Sequence, residues 1–164
     1  MPASRIEIVP ATLRDVSYIV ASMCPEDWAE IAAQMPAGAS TEQVAALHLH
    51  GEAWAAMLDG QPVQAFGAVP ATASVLNLWA FGTRARRRAI PAVTRFLRRQ
   101  AGEWVARGVT RVEARAMAGH PTAHRWLRGL GGQSYRLPCW GSGGEEFTLY
   151  WWTRKTWAEA AAAA

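Results

Sequence analysis

Val75-Leu76-Asn77-Leu78-Trp79-Ala80-Phe81 is followed, after Gly82 and Thr83, by Arg84-Ala85-Arg86-Arg87-Arg88-Ala89. The first stretch is a near-continuous apolar run of strand length, as expected of a strand buried on both faces. Beyond the arginines, Ile90, Val93, Phe96, Leu97, Trp104 and Val105 recur at helical spacing, with Arg95, Arg98 and Arg99 opposite. This predicts an amphipathic helix over Ile90–Arg107, with Pro91 in its first turn and Gly108 as its stop. Val109–Met117 then reads as a strand. A strand, long helix and strand in succession imply a right-handed crossover between parallel strands.

Outward from that unit the chain alternates turn signals and short elements. Arg5–Val9 alternates as a strand and ends at Pro10. Thr12 is placed to cap a helix from Leu13 to about Met23, with Asp15 completing a box-like start. Pro25-Glu26-Asp27 puts a proline and two acids at the start of a second helix, Glu26–Gln34. Thr41 is read as the cap of a third helix, to about His50. Ala53–Leu58 and Pro62–Val69 flank Asp59-Gly60, a two-residue hairpin signal. His120–Leu130 reads as a helix ended by Gly131-Gly132, and Glu146–Thr153 as a last strand. The expected class is α/β, a single domain with an antiparallel front and a parallel βαβ second half. The domain spans residues 1–155, with an alanine-rich tail at 156–164.

Composition narrows the function classes. The 164 residues are 51% hydrophobic and 18% charged, which excludes a disordered chain. The apolar stretches fall short of the roughly 20 residues of a membrane-spanning helix, and the N-terminus shows no signal sequence. Two cysteines, Cys24 and Cys139, make neither a disulfide framework nor a zinc knuckle. The net charge of +4 conceals a polarity: residues 1–60 carry two Arg against eight acids, and residues 84–136 carry thirteen Arg against two.

The element order resembles the GNAT N-acyltransferase superfamily, whose members bind acetyl-CoA where the fourth strand meets the long helix. That family's Gln/Arg-x-x-Gly-x-Gly/Ala loop aligns with Arg84–Ala89. The Arg and the final Ala match, but Arg87 stands at the central glycine. The family's later Asn-x-x-Ala-x-x-Leu-Tyr pattern aligns with His120–Leu127, where Leu127 replaces the tyrosine that often protonates the leaving thiolate. The opening, Val9–Thr12 and Met23–Ile31, is similar to small GNAT-like proteins of short-tailed bacteriophages. That resemblance implies a virion-associated structural protein of the head–tail region or capsid interior, catalytically lapsed. It would assemble with other virion proteins or with copies of itself as a ring, in the virion and, during assembly, in the host cytoplasm. The alternative is an active acetyl-CoA-dependent N-acetyltransferase; a third reading is an arginine-mediated nucleic-acid-binding module.

The residues carry these readings unequally. Arg84, Arg86, Arg87, Arg88 and Ala89 precede a helix N-terminus, where main-chain N–H groups suit a pyrophosphate. A side chain at Arg87 crowds that approach. Glu113 and Tyr135 are the candidate base and acid, and a pairing of Glu113 with Arg111 or Arg115 is the simpler reading of that carboxylate. His120 and His124, four apart, lack a third metal ligand nearby, and His120 suits the cap of the helix that Pro121 opens, so no metal is expected. Trp140, in a glycine-rich loop, and Trp157 are the candidate interface anchors.

Overall fold

The computed structural model describes residues 5–162 and shows one seven-stranded sheet with helices on both faces. Strand β1 (Ile6–Pro10) is followed by helices α1 (Leu13–Ala21), α2 (Pro25–Ala32) and α3 (Thr41–His48). Next come β2 (Glu52–Leu58), β3 (Gln61–Pro70) and β4 (Val75–Gly82), then a turn of 3-10 helix at Arg84–Arg88 and the long α4 (Ile90–Ala106). The chain continues through β5 (Arg111–Met117), α5 (Pro121–Gly129), β6 (Gln133–Leu137), β7 (Phe147–Thr153) and α6 (Arg154–Ala162). The spatial order is β1-β2-β3-β4-β5-β7-β6.

Local chemistry accounts for most of these boundaries. Thr12 and Asp15 form a reciprocal capping box at α1. Asp59 and Gly60 both take positive φ, 49° and 81°, and close the β2–β3 hairpin. Ser40, rather than Thr41, caps α3, because its hydroxyl accepts the Gln43 N–H while the Gln43 side chain accepts the Ser40 N–H. A strand absent from the sequence reading, β6, pairs antiparallel with β7 at the sheet edge. Its residues are mostly exposed, so it carries no buried apolar pattern by which to recognise it.

The two sheet faces bury separate cores. Trp104, Phe66, Trp152 and Trp157 pack between the sheet and α4, α5 and α6, with Phe96 partly buried beside them. Val16, Ile19, Ile31, Val44 and Phe81 pack under α1–α3. Trp157 is 7% exposed and edge-on to Trp104 and Trp152, so it is a core residue and not the surface anchor expected from the sequence. The tail that begins at 156 therefore contributes to the domain's core at its first turn.

The feature that positions the site is the β4–β5 pair. The strands run parallel from Val75↔Arg111 to Leu78↔Ala114, and there the pairing stops. Beyond that point β4 continues along β3 to Gly82, and β5 continues along β7 to Met117. The sheet opens into a wedge between them.

Candidate active site

Two carboxylates from one turn of α2 span the wedge. Asp27 and Glu30, three apart, share a helix face. Asp27 Oδ2 accepts the main-chain N–H of Gly82, at the end of β4, at 2.7 Å. Glu30 Oε2 accepts that of Met117, at the end of β5, also at 2.7 Å. Each diverging strand thus gives the N–H that its neighbour no longer uses to an acid on α2.

Asp27 is 5% exposed and is the centre of a buried polar group. Arg86 Nη1 donates to its Oδ2 at 2.7 Å, and the His120 ring meets its Oδ1 through Nε2 at 2.6 Å. His120 Nδ1 lies 3.3 Å from the Ala123 N–H and accepts it, capping α5, which puts the ring proton on Nε2, facing Asp27. Burial disfavours the charged imidazolium, but the Asp27 hydrogen bond and the charges of Glu30 and Asp27 outweigh it, so the pKa lies above the usual histidine value. Protonation at Nδ1 would forfeit the Ala123 cap. Cys24 completes the group, its N–H and thiol both reaching the Gly82 carbonyl at 3.0 Å.

Glu30 stands differently. Burial pushes its pKa up to about 7, against the lowering effects of the Met117 N–H and of His120. Its Oε2 carries the strand contact, and Oε1 has no partner among the described residues. The result is a carboxylate that changes charge near neutral pH at the edge of the wedge, as a general base requires. A folded pKa raised above the ordinary value favours the protonated folded state, so the stability that Glu30 contributes is fully present below about pH 4.5 and is lost as pH rises through about 7. Urea midpoints should therefore fall between pH 5 and pH 8, and Glu30→Gln should flatten the fall by at most about 3 kcal/mol.

A cavity of about 390 Å³ runs through the wedge from one sheet face to the other. On the α4–α5 side its walls are mostly apolar, with Phe66, Leu78, Ala80, Leu97, Trp126 and Leu130, and the lining also holds Thr122 and the buried Gln64, whose Oε1 has no partner among the described residues. On the α2–α3 side Asp27 and Glu30 meet Ile31, Met35, Leu47 and an aromatic group. In that group Trp79 stacks on Phe81 at 5.3 Å, with His48 edge-on to both at 4.7 and 5.0 Å. Gly67 makes room for the indole, since a Cβ there would sit 2.6 Å from Trp79 Cζ2.

The residues expected from the sequence are placed as follows. Arg86 turns inward to Asp27, while Arg84 and Arg87 stay on the surface, and Arg88 is exposed. The N–H of Arg86 donates to the Thr83 carbonyl and that of Ala89 to the Arg86 carbonyl. The 3-10 turn therefore consumes main-chain donors that an anion would need. Glu113 pairs with Arg111 at 2.6 Å and Arg115 at 3.4 Å, away from the cavity walls. Tyr135 lies on edge strand β6, 51% exposed and apart from Glu113 and the cavity. Trp140 is 47% exposed, with the Arg115 guanidinium over its ring at 4.9 Å. Asp27 and Glu30 escaped the sequence reading, although both stand on the face of α2 that Ile31 marks as buried.

A seven-stranded sheet opened between a parallel β4 and β5, with the last strand inserted beside β5, has close counterparts among solved structures. An N-acetyltransferase of Staphylococcus aureus is 15% identical, with 92% of this chain and 99% of that one covered at a TM-score of 0.66. Ribosomal-protein-alanine N-acetyltransferase of Brucella melitensis is 16% identical, with 90% and 99% covered at 0.65. The fold is that of the GNAT N-acetyltransferases. A third GNAT-fold protein, from Salmonella typhimurium, is described as an acetyltransferase with its cofactor acetyl-CoA; it is 12% identical, with 90% and 93% covered at 0.63. No family profile matches the sequence, and no curated protein matches it either.

The wedge fits one end of such a cofactor better than the other. By strand alternation the main-chain groups of Gly82, Ala80 and Leu78 face away from β3; Gly82 gives its N–H to Asp27, and Leu78 still pairs with β5. Ala80 lies beyond the last β4–β5 pair, with its N–H and carbonyl open to the wedge. An amide-bearing pantetheine arm laid beside β4 would meet both. At the nucleotide end the turn donors are used, which leaves phosphates to the exposed side chains of Arg84 and Arg87.

Proposed function

We propose that the protein is an acetyl-CoA-dependent N-acetyltransferase with Glu30 as its general base. The observation that carries this reading is a titratable carboxylate at the end of β5 that lines the same cavity as Ala80 of β4. Bound acetyl-CoA would supply a thioester carbonyl open to attack by an amine. On the opposite side Glu30 takes the proton that an ammonium must lose before its nitrogen can form the new bond. The backbone of Ala80 orients the arm, and the mostly apolar α4–α5 wall limits water. No tyrosine lines the cavity: the Tyr150 hydroxyl is bound to His124 at 2.7 Å. A thiol is a much stronger acid than an alcohol, so the thiolate can leave without a positioned acid and take its proton from water.

The virion reading draws on the resemblance of the N-terminal stretch and on the replacements at Arg87 and Leu127. Glu30 weakens the case for catalytic lapse, since it supplies a base on a helix that the motifs do not cover. Thiol release decides between the two. Acetyl-CoA with a primary amine should yield free thiol in proportion to enzyme, and absence of release across a broad amine panel would return the case to a structural role.

A further inference from the structure

The α2–α3 half of the cavity is built unlike the α4–α5 half, and its chemistry bears on the acceptor. His48 Nδ1 lies 2.7 Å from the Val44 carbonyl and must donate to it, which leaves Nε2 as a bare acceptor. Burial pushes the pKa of this ring down, so it stays neutral at physiological pH. Glu30 Oε1 is a second acceptor without a partner among the described residues. Both groups suit an ammonium. The arginines of this half are mostly engaged: Arg86 holds Asp27, and Arg115 reaches Glu113 at 3.4 Å and Asn77 at 3.3 Å and lies over Trp140, with only its buried Nε left without a partner among the described residues. A substrate carboxylate would compete there with Asp27 for Arg86 and with Glu113 for Arg115. A second ammonium finds no second free carboxylate, because Asp27 is held by Arg86, His120 and the Gly82 N–H. What remains is chiefly flat and apolar, the Trp79–Phe81 stack with Met35 and Leu47 at its edge, beside the neutral side chains of Gln34 and Asn77.

We propose that this chamber binds a small arylalkylamine, with one ammonium directed to Glu30 and His48 and an aromatic ring laid against Trp79. The inference rests on the acyltransferase reading for its consequence, N-acetylation of that amine, but not for the binding itself. The test therefore measures binding without any acyl donor. Calorimetry would compare 2-phenylethylamine with n-butylamine, phenylalanine and spermidine on the full chain, on Trp79→Leu and on Trp79→Phe. Phenylethylamine should bind at least ten-fold more tightly than each of the other three. Trp79→Leu should reduce the phenylethylamine–butylamine ratio to near one, and Trp79→Phe, which keeps a flat ring, should retain most of it. A preference for phenylalanine or spermidine, or a ratio unmoved in Trp79→Leu with Trp79→Phe folded, would overturn the proposal. Tight phenylethylamine binding with no acetyl transfer would uphold the chamber and count against the acyltransferase reading alone.

Discussion

Glu30→Gln is expected to lower kcat/KM for amine acetylation by about 10²- to 10⁴-fold at pH 8, the usual contribution of a positioned general base. In the native protein the rate should climb as pH rises through about 7, because only the deprotonated carboxylate can take a proton. The acid limb should vanish in the variant. The amide oxygen of Gln can still accept the Met117 N–H, so the end of β5 keeps its place. A change in rate without a change in profile would make Glu30 a strand tether only. Steady-state rates from pH 5.5 to 9 separate these outcomes.

The largest effect on stability is expected at Asp27. Its carboxylate compensates a guanidinium with an 11% exposed side chain, an imidazole with a 3% exposed one, and the last N–H of β4. Asp27→Ala strands all three without water, and breaking a buried pair in this way costs about 3–5 kcal/mol. For a chain of this length that corresponds to a melting temperature lower by on the order of 10 °C. Arg86→Met added to Asp27→Ala should recover part of the loss, since the unpaired charge is then gone. If Asp27→Ala alone melts within a degree or two of the native protein, the group is not the clamp that closes the wedge's open end.

These two residues also show where the sequence stops being legible. The β4–α4–β5 unit was readable because hydrophobic period, Pro91 and Gly108 are local signals that agree with the packing. The Asp59-Gly60 hairpin and the Thr12 cap were readable for the same reason. Ser40 and Thr41 are adjacent capping residues, and only the reciprocal bond with Gln43 selects the first. Asp27 and Glu30 read as solvated acids favourable to a helix N-terminus. Their partners lie far along the chain, Arg86 59 positions on, His120 93 and Met117 87. No local pattern joins them; the sheet's crossover does. His120 was legible as a cap, and it fills that place while its other nitrogen serves the buried network. The arginine loop was legible as sequence but not as geometry, because whether its N–H groups face a ligand or one another depends on a single turn of 3-10 helix.

Titration of the full chain with acetyl-CoA by calorimetry is the most direct test of the account, since every functional step begins with a pantetheine thioester in the wedge. Saturable one-to-one binding is predicted, retained in Glu30→Gln and weakened when Ala80→Pro removes the N–H that faces the arm. An absence of heat at millimolar acetyl-CoA, in protein that melts cooperatively, would contradict it.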